Sequence, residues 1–108
     1  MNNKKPIDNF IEALQEHKFV EAHEILEDDW KTFKKQGLKL EAKAIQGLIN
    51  GATALALYHI KKRPDGFKKV WPVYLKYKPL LTNAKINNKN RFFYACKILE
   101  EKKEELTD

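Results

Sequence analysis

Residues 44–60 read AIQGLINGATALALYHI, a run of seventeen residues without a formal charge in a chain in which 33% of residues are charged. A run of this length suggests a membrane span. Gln46, Asn50, Thr53 and His59, together with two interior glycines, argue against that placement. We therefore interpret the run as the centre of a helix that other helices surround, and we expect no membrane association.

Outward from this run, the spacing of apolar residues is helical almost throughout. Helices are predicted at about residues 7–17, 18–36, 40–62, 67–83 and 89–106. Gly37 is a natural C-terminal stop for the second helix. Pro72 and Pro79 should kink the fourth or limit it to short pieces. The predicted fold is all-α, a compact antiparallel array of four main helices plus a short N-terminal helix, in a single domain over residues 1–108.

Two glycines in the central helix indicate close packing. Gly47 and Gly51 are four residues apart and share one helix face. Without a β-carbon, each allows another backbone to approach closely, at a cost of about 1 kcal/mol in helix propensity.

Cysteine content and the N-terminus indicate the compartment. The single cysteine excludes a disulfide framework and a cysteine-only metal site, and it suits a reducing environment. Cys96 falls at an apolar helix position, which predicts a core residue. No apolar stretch follows Lys4 and Lys5, so no signal peptide is expected. These features predict a cytoplasmic protein.

Several polar residues fall on helix faces that are otherwise apolar. On a wheel at 100° per residue, His23, Glu27 and Trp30 share one face of the second helix, and His59 points inward from the third. Gln46 and Asn50 lie on a polar stripe of the third helix. The candidate cluster or pocket is therefore His23, Glu27, Trp30, Gln46, Asn50 and His59.

Three interpretations of this cluster stay open. It forms a buried hydrogen-bonded network between helices, or a divalent-metal site made by His23, Glu27 and His59, or an acid–base pair in which Glu27 orients His23. In the first case, His23→Ala should cost about 1–3 kcal/mol by leaving the Glu27 carboxylate without a partner.

The segment HEILEDDW at residues 23–30 fits the pattern HxxxExxW, and Gln46-Gly47-Leu48-Ile49 follows it along the chain. With His59 and Gly66, these residues resemble a family of small bacterial and plant proteins called domain of unknown function 309. The resemblance implies a compact helical fold. It carries over His23, Glu27, Trp30, Gln46 and His59 as motif positions, and it raises a metal-dependent hydrolase as one possible activity.

Positive charge is concentrated in one segment. Residues 61–91 carry ten basic side chains and one acidic side chain, whereas the whole chain has a net charge of +6. Aromatic residues Trp71, Tyr74 and Tyr77 alternate with these lysines. Basic residues among aromatic ones bind single-stranded nucleic acid through charge and base stacking, although aromatic residues at helical spacing also form cores. The candidate contacts are Lys61, Lys62, Arg63, Lys68, Lys69, Lys76 and Lys78.

A second copy of the chain is another candidate partner. The acidic cluster Glu24, Glu27, Asp28 and Asp29 on the second helix could meet the basic fourth helix of another molecule and form a homodimer.

Three functions are therefore weighed. We favour a non-enzymatic binding or scaffold domain with a half-buried His-Glu-Trp cluster, since the sequence shows no clear nucleophile and no phosphate-binding glycine loop. The alternatives are a metal-dependent hydrolase that uses His23, Glu27 and His59, and nucleic-acid binding through residues 61–91.

Overall fold

The computed structural model describes residues 5–107. Within that range it contains the α-helices α1 (Pro6–Gln15), α2 (Phe19–Ile25), α3 (Glu27–Lys35), α4 (Lys39–Leu55), α5 (Pro64–Tyr77) and α6 (Lys89–Leu106). A π-helical turn, Ala56–Ile60, follows α4, and a 3₁₀ turn, Lys78–Thr82, follows α5. No strand occurs among residues 5–107, so the predicted all-α fold class is confirmed.

The uncharged run lies where its composition predicts. Helix α4 packs against α2, α3, α5 and α6, and α5 is the most extensive of these neighbours. Ten of its residues are buried, including Ile45, Leu48, Ala52 and Leu55. Among the described residues, no helix combines the length and the apolar character needed to cross a lipid bilayer.

One hydrophobic core joins the helices. Its fully buried residues include Phe10 and Leu14 of α1, Phe19 of α2 and Leu99 of α6. Helix α3 has no fully buried residue, and its half-buried aromatic side chains pack at the edge of this core. The face that α3 shares with α4 is therefore the shallow side of the core.

Two left-handed residues terminate helices α1 and α3. Gly37 has a φ of 75° just after α3, which agrees with its predicted role as a stop. His17 has a φ of 60° just after α1. The N–H of Lys18 donates to the carbonyl of Ala13 at 2.8 Å, which closes the same kind of turn without a glycine.

Some helix boundaries differ from the sequence prediction. The predicted second helix divides at Leu26, whose side chain is fully buried in the bend. Glu27, Asp28 and Asp29 follow directly and occupy the first turn of α3, where the helix dipole favours acidic residues. One predicted helix is therefore two shorter ones.

The fourth predicted helix differs at both ends. It starts at Pro64, because proline suits a first helical turn, and it continues through Pro72. It ends as an α-helix at Tyr77, and the chain tightens into the 3₁₀ turn that contains Pro79. Pro79, and not Pro72, therefore limits this helix.

The two glycines of α4 lie at close contacts, as predicted. A β-carbon on Gly47 would lie 2.9 Å from Cβ of Tyr77 and 3.6 Å from its carbonyl carbon. A β-carbon on Gly51 would lie 2.9 Å from a terminal methyl group of Leu99 and 3.2 Å from Cδ1 of the Tyr74 ring. At Gly47 the obstacle is close to the α5 backbone, whereas at Gly51 it consists of side-chain atoms.

We expect Gly47→Ala to lower the free energy of unfolding by about 1–2 kcal/mol, because the new methyl group pushes against the backbone of α5. This loss remains after a gain of about 1 kcal/mol in helix propensity. Gly51→Ala should cost less, because the atoms that the new methyl group meets belong to the side chains of Leu99 and Tyr74 and not to a backbone. Urea denaturation of both variants measures the difference, and equal losses would contradict this account of Gly47.

Candidate functional site

A small hollow opens between α2, α3 and α4. It has a volume of about 210 Å³ and is lined by His23, Glu27, Trp30, Gln46, Ile49 and Asn50. We call it the polar hollow. The structure thus brings five of the six predicted cluster residues to one place, together with Ile49.

The charged pair of the polar hollow comes from the bend at Leu26. His23 is in α2 and Glu27 begins α3, and one helical turn separates them. Nε2 of His23 lies 3.5 Å from Oε1 of Glu27, and their side chains are 38% and 33% exposed. The pair is therefore open to solvent. His23→Ala does not leave a fully buried carboxylate without a partner, so we expect it to lower the free energy of unfolding by less than the sequence predicted.

The uncharged polar groups of the hollow come from one face of α4 and from α3. Nδ2 of Asn50 donates to the carbonyl oxygen of Gln46 at 2.9 Å, which holds the Asn50 side chain along the helix. Trp30 is half-buried, and the ammonium of Lys34 lies 4.5 Å from the centre of its ring. Trp30 therefore forms a wall of the hollow and does not seal it.

His59 lies apart from the polar hollow. Its ring centre is 5.9 Å from that of Phe19 and 5.5 Å from that of His17. His59 is nine residues beyond Asn50, which is about 13 Å along a helix axis. A helical wheel gives the direction of a side chain around the helix axis but not its position along the axis. The π-helical turn also changes the rotation per residue, since Lys61 N–H bonds to the carbonyl of Ala56, five residues back.

The predicted three-ligand metal set does not assemble. His59 contacts Phe19 and His17, whereas His23 and Glu27 line the polar hollow. Across residues 5–107, no group of three or more His, Cys, Asp or Glu side chains has the geometry to hold a metal ion. The physical reason is again the axial offset of His59.

The aromatic residues of the basic segment are mostly in the core. Trp71 is 7% exposed and Tyr74 is fully buried, and their rings pack 4.8 Å apart. Tyr77 is half-buried. The first two rings therefore cannot stack on bases, and the core interpretation of this spacing is the correct one for them.

Most of the basic side chains are exposed. Lys78 is the exception, since its ammonium pairs with Oε2 of Glu100 at 2.5 Å. The other candidate nucleic-acid contacts are exposed and form no ion pair within residues 5–107. These are Lys61, Lys62, Arg63, Lys68, Lys69 and Lys76. Nucleic-acid binding through them stays a prediction that rests on charge.

The acidic cluster predicted to meet a second copy is only partly exposed. Glu24 and Asp28 face solvent, whereas Glu27 lines the polar hollow. Desolvation, and then the neighbouring Asp28 carboxylate, raises the pKa of the half-buried Asp29 above its ordinary value. The homodimer stays a prediction.

A polar network between α5 and α6 escaped the sequence analysis. The hydroxyl of the buried Tyr74 donates to Oε2 of Glu100 at 2.6 Å, and Lys78 pairs with the same oxygen. Burial acts to raise the pKa of Glu100, but the hydrogen bonds from Lys78 and Tyr74 outweigh it and lower the pKa. Tyr74 and Lys78 are four residues apart, on α5 and its 3₁₀ extension, and this spacing is the signal in the sequence that places both side chains on one face.

A second missed residue is Glu41 in the first turn of α4. It is the one buried charged residue within residues 5–107. Its carboxylate accepts a hydrogen bond from the backbone N–H of Lys85 at 2.8 Å, and this bond lowers its pKa. Glu41 thus ties α4 to the connection before α6. Cys96 is buried, as predicted.

Comparison with known proteins gives one result. A family model described as Domain of unknown function (DUF309) matches residues 7–70, which is more than half of the chain. The match includes α1 from its second residue, α2 to α4, the polar hollow and the first half of α5. No curated protein and no solved structure gives a significant match.

The exposure of the charged pair leads to a stability prediction. We expect His23→Ala and Glu27→Ala to be coupled by less than about 1 kcal/mol, since exposed pairs four residues apart contribute about 0.3–0.5 kcal/mol. A double-mutant cycle measured by urea denaturation tests this. A coupling above about 2 kcal/mol would instead indicate a desolvated pair.

The lowered pKa of Glu100 leads to a pH prediction. A carboxylate with a lowered pKa in the folded state stabilises the protein above its ordinary pKa, near 4.5, and this stability is lost as the pH falls through the folded-state value. From about pH 6 to about pH 3, Glu100→Gln should therefore lose less stability than the parent.

The matched control for this variant is Glu101→Gln, an exposed neighbour on the same helix with the same change in charge. It should keep the parent's dependence on pH, measured by thermal unfolding at each pH. If both variants flatten the pH dependence equally, the network around Glu100 does not explain it.

Proposed function

The chain belongs to the DUF309 family, as its sequence motifs predicted, and we propose that it is a non-enzymatic binding domain whose polar hollow receives an amide group of a protein partner. The observation that carries this proposal is the placement of His23, Glu27, Trp30, Gln46 and Asn50 around one solvent-open hollow.

The size of the polar hollow favours a single functional group. Pockets that enclose a whole small-molecule ligand measure about 300–1,000 Å³. At about 210 Å³, the polar hollow is smaller than this range. A side chain or a short length of backbone from a protein partner fits this volume, whereas a complete cofactor does not.

The lining offers both donors and acceptors. Among residues 5–107, neither the indole N–H of Trp30 nor the side-chain amide of Gln46 has a hydrogen-bond partner. Asn50 uses an N–H on its own helix, which leaves its side-chain oxygen as an acceptor. An amide group supplies the matching N–H and carbonyl. Glu27 adds a charged acceptor at the edge.

The described residues are better suited to binding a partner than to catalysing a reaction. Hydrolysis by a metal would need a further ligand near His23 and Glu27, and His59 is placed elsewhere. Burial raises the pKa of the Cys96 thiol, and a protonated thiol is a poor nucleophile. The buried free thiol also suits the cytoplasmic location that we propose.

The experiment selects binding peptides from a library of short random sequences displayed on phage. Gln46→Ala should weaken binding of the selected peptides at least about tenfold, because the amide group of the bound peptide would lose its hydrogen bonds to the Gln46 side chain. Glu27→Gln should weaken the same peptides. Calorimetric titration of synthetic peptides gives the affinities.

The matched control is Gln36→Ala, which removes an exposed amide outside the hollow and should leave the affinity unchanged. Failure to select any peptide, or selected peptides that bind Gln46→Ala as tightly as the parent, would reject the proposal. Circular dichroism confirms that each variant is folded.

A further inference from the structure

A second hollow lies between the beginning of α4 and the end of α5. It has a volume of about 420 Å³, and its lining is Lys39, Leu40, Lys43, Lys76, Tyr77 and Leu80. We call it the lysine hollow. No residue of the polar hollow contributes to it.

The charge of the lysine hollow is of one sign. Lys39, Lys43 and Lys76 all contribute to the lining, and no carboxylate does. None of the three forms an ion pair within residues 5–107. The Lys76 ammonium lies 5.7 Å from the centre of the Tyr77 ring. Three cations without a protein counterion attract an anion, most strongly one with more than one negative charge.

The rest of the lining is apolar. Leu40, Tyr77 and Leu80 are half-buried, so each presents part of its surface to the hollow. An inorganic anion alone would leave this surface in water. A ligand that joins an anion to a flat apolar group would cover it, and the volume lies within the range of small-molecule pockets.

The position of Tyr77 is set by the packing of α5 on α4. Its Cβ lies only 2.9 Å from the position that a β-carbon on Gly47 would take, so the end of α5 packs directly on the central helix. Tyr77 is thus held against α4 by this close packing, whereas the three lysine side chains are exposed to solvent.

We propose that the lysine hollow binds a phosphate monoester of an aromatic group, in which the lysines contact the phosphate and Tyr77, Leu40 and Leu80 contact the ring. Lysine binds phosphate as a compact point charge. This inference concerns a small anionic ligand and does not depend on the function proposed for the polar hollow.

The probes are adenosine monophosphate, adenosine and inorganic phosphate, titrated into the intact chain by calorimetry at about 0.15 M salt, where the Debye length is about 8 Å. Adenosine monophosphate should bind at least about tenfold more tightly than either fragment, since it uses both parts of the lining. Lys39→Gln combined with Lys43→Gln should weaken its binding at least about tenfold. Both residues are exposed, so the double variant should remain folded.

The matched control is Lys68→Gln combined with Lys69→Gln, which removes the same charge from exposed positions of α5 outside the hollow. It should change the affinity by no more than about twofold, because distant surface charges are screened. An equal loss in both double variants would show attraction by net charge only, and would overturn the proposal.

Two other results would also overturn the proposal. Equal binding of adenosine monophosphate and inorganic phosphate would remove the role of the apolar wall. Binding of a single-stranded oligonucleotide without binding of adenosine monophosphate would assign the lysines to a nucleic-acid surface.

Discussion

The burial of α4 among its neighbours is the constraint on which the other features depend. A helix without charge over most of its length must be covered on several sides, and α2, α3, α5 and α6 cover it. Close cover requires small residues, so Gly47 and Gly51 stand where Tyr77 and Leu99 approach. Tyr77, at the end of α5, packs so closely on Gly47 that a β-carbon there would lie 3.6 Å from the Tyr77 carbonyl carbon. The side chains at the end of α5 therefore have a defined position relative to the start of α4.

The two hollows form where the neighbouring helices bury α4 less completely. Helix α3 contributes only half-buried aromatic residues, so the polar face of α4 at Gln46 and Asn50 stays open to solvent beside it. At the start of α4, α5 turns into its 3₁₀ extension and leaves Lys39 and Lys43 facing Lys76. One hollow is lined by mixed hydrogen-bonding groups and the other by positive charge, although both include residues of α4.

Polar contacts outside the core connect the segments that surround α4. Glu100 joins α6 to Tyr74 and Lys78, and Glu41 joins α4 to the backbone at Lys85. These carboxylates hydrogen-bond to groups far away in the chain, and the partners lower their pKa values. Part of the positive charge of residues 61–91 is paired within the protein, through Lys78 with Glu100 and Arg91 with Asp8.

The periodicity and composition of the chain were sufficient to predict an all-α fold, a buried central helix, the stop at Gly37 and the proximity of His23, Glu27 and Trp30, although these three lie on two helices and not on one. These are local properties, since they depend on residues within a few turns of one another. The bend at Leu26, the π-helical turn and the partners of Glu41 and Glu100 depend on packing between distant segments. His59 shows the difference most clearly. Its direction on the wheel follows from the sequence, but its neighbours are His17 and Phe19 because position along the helix axis has meaning only once another helix lies beside it.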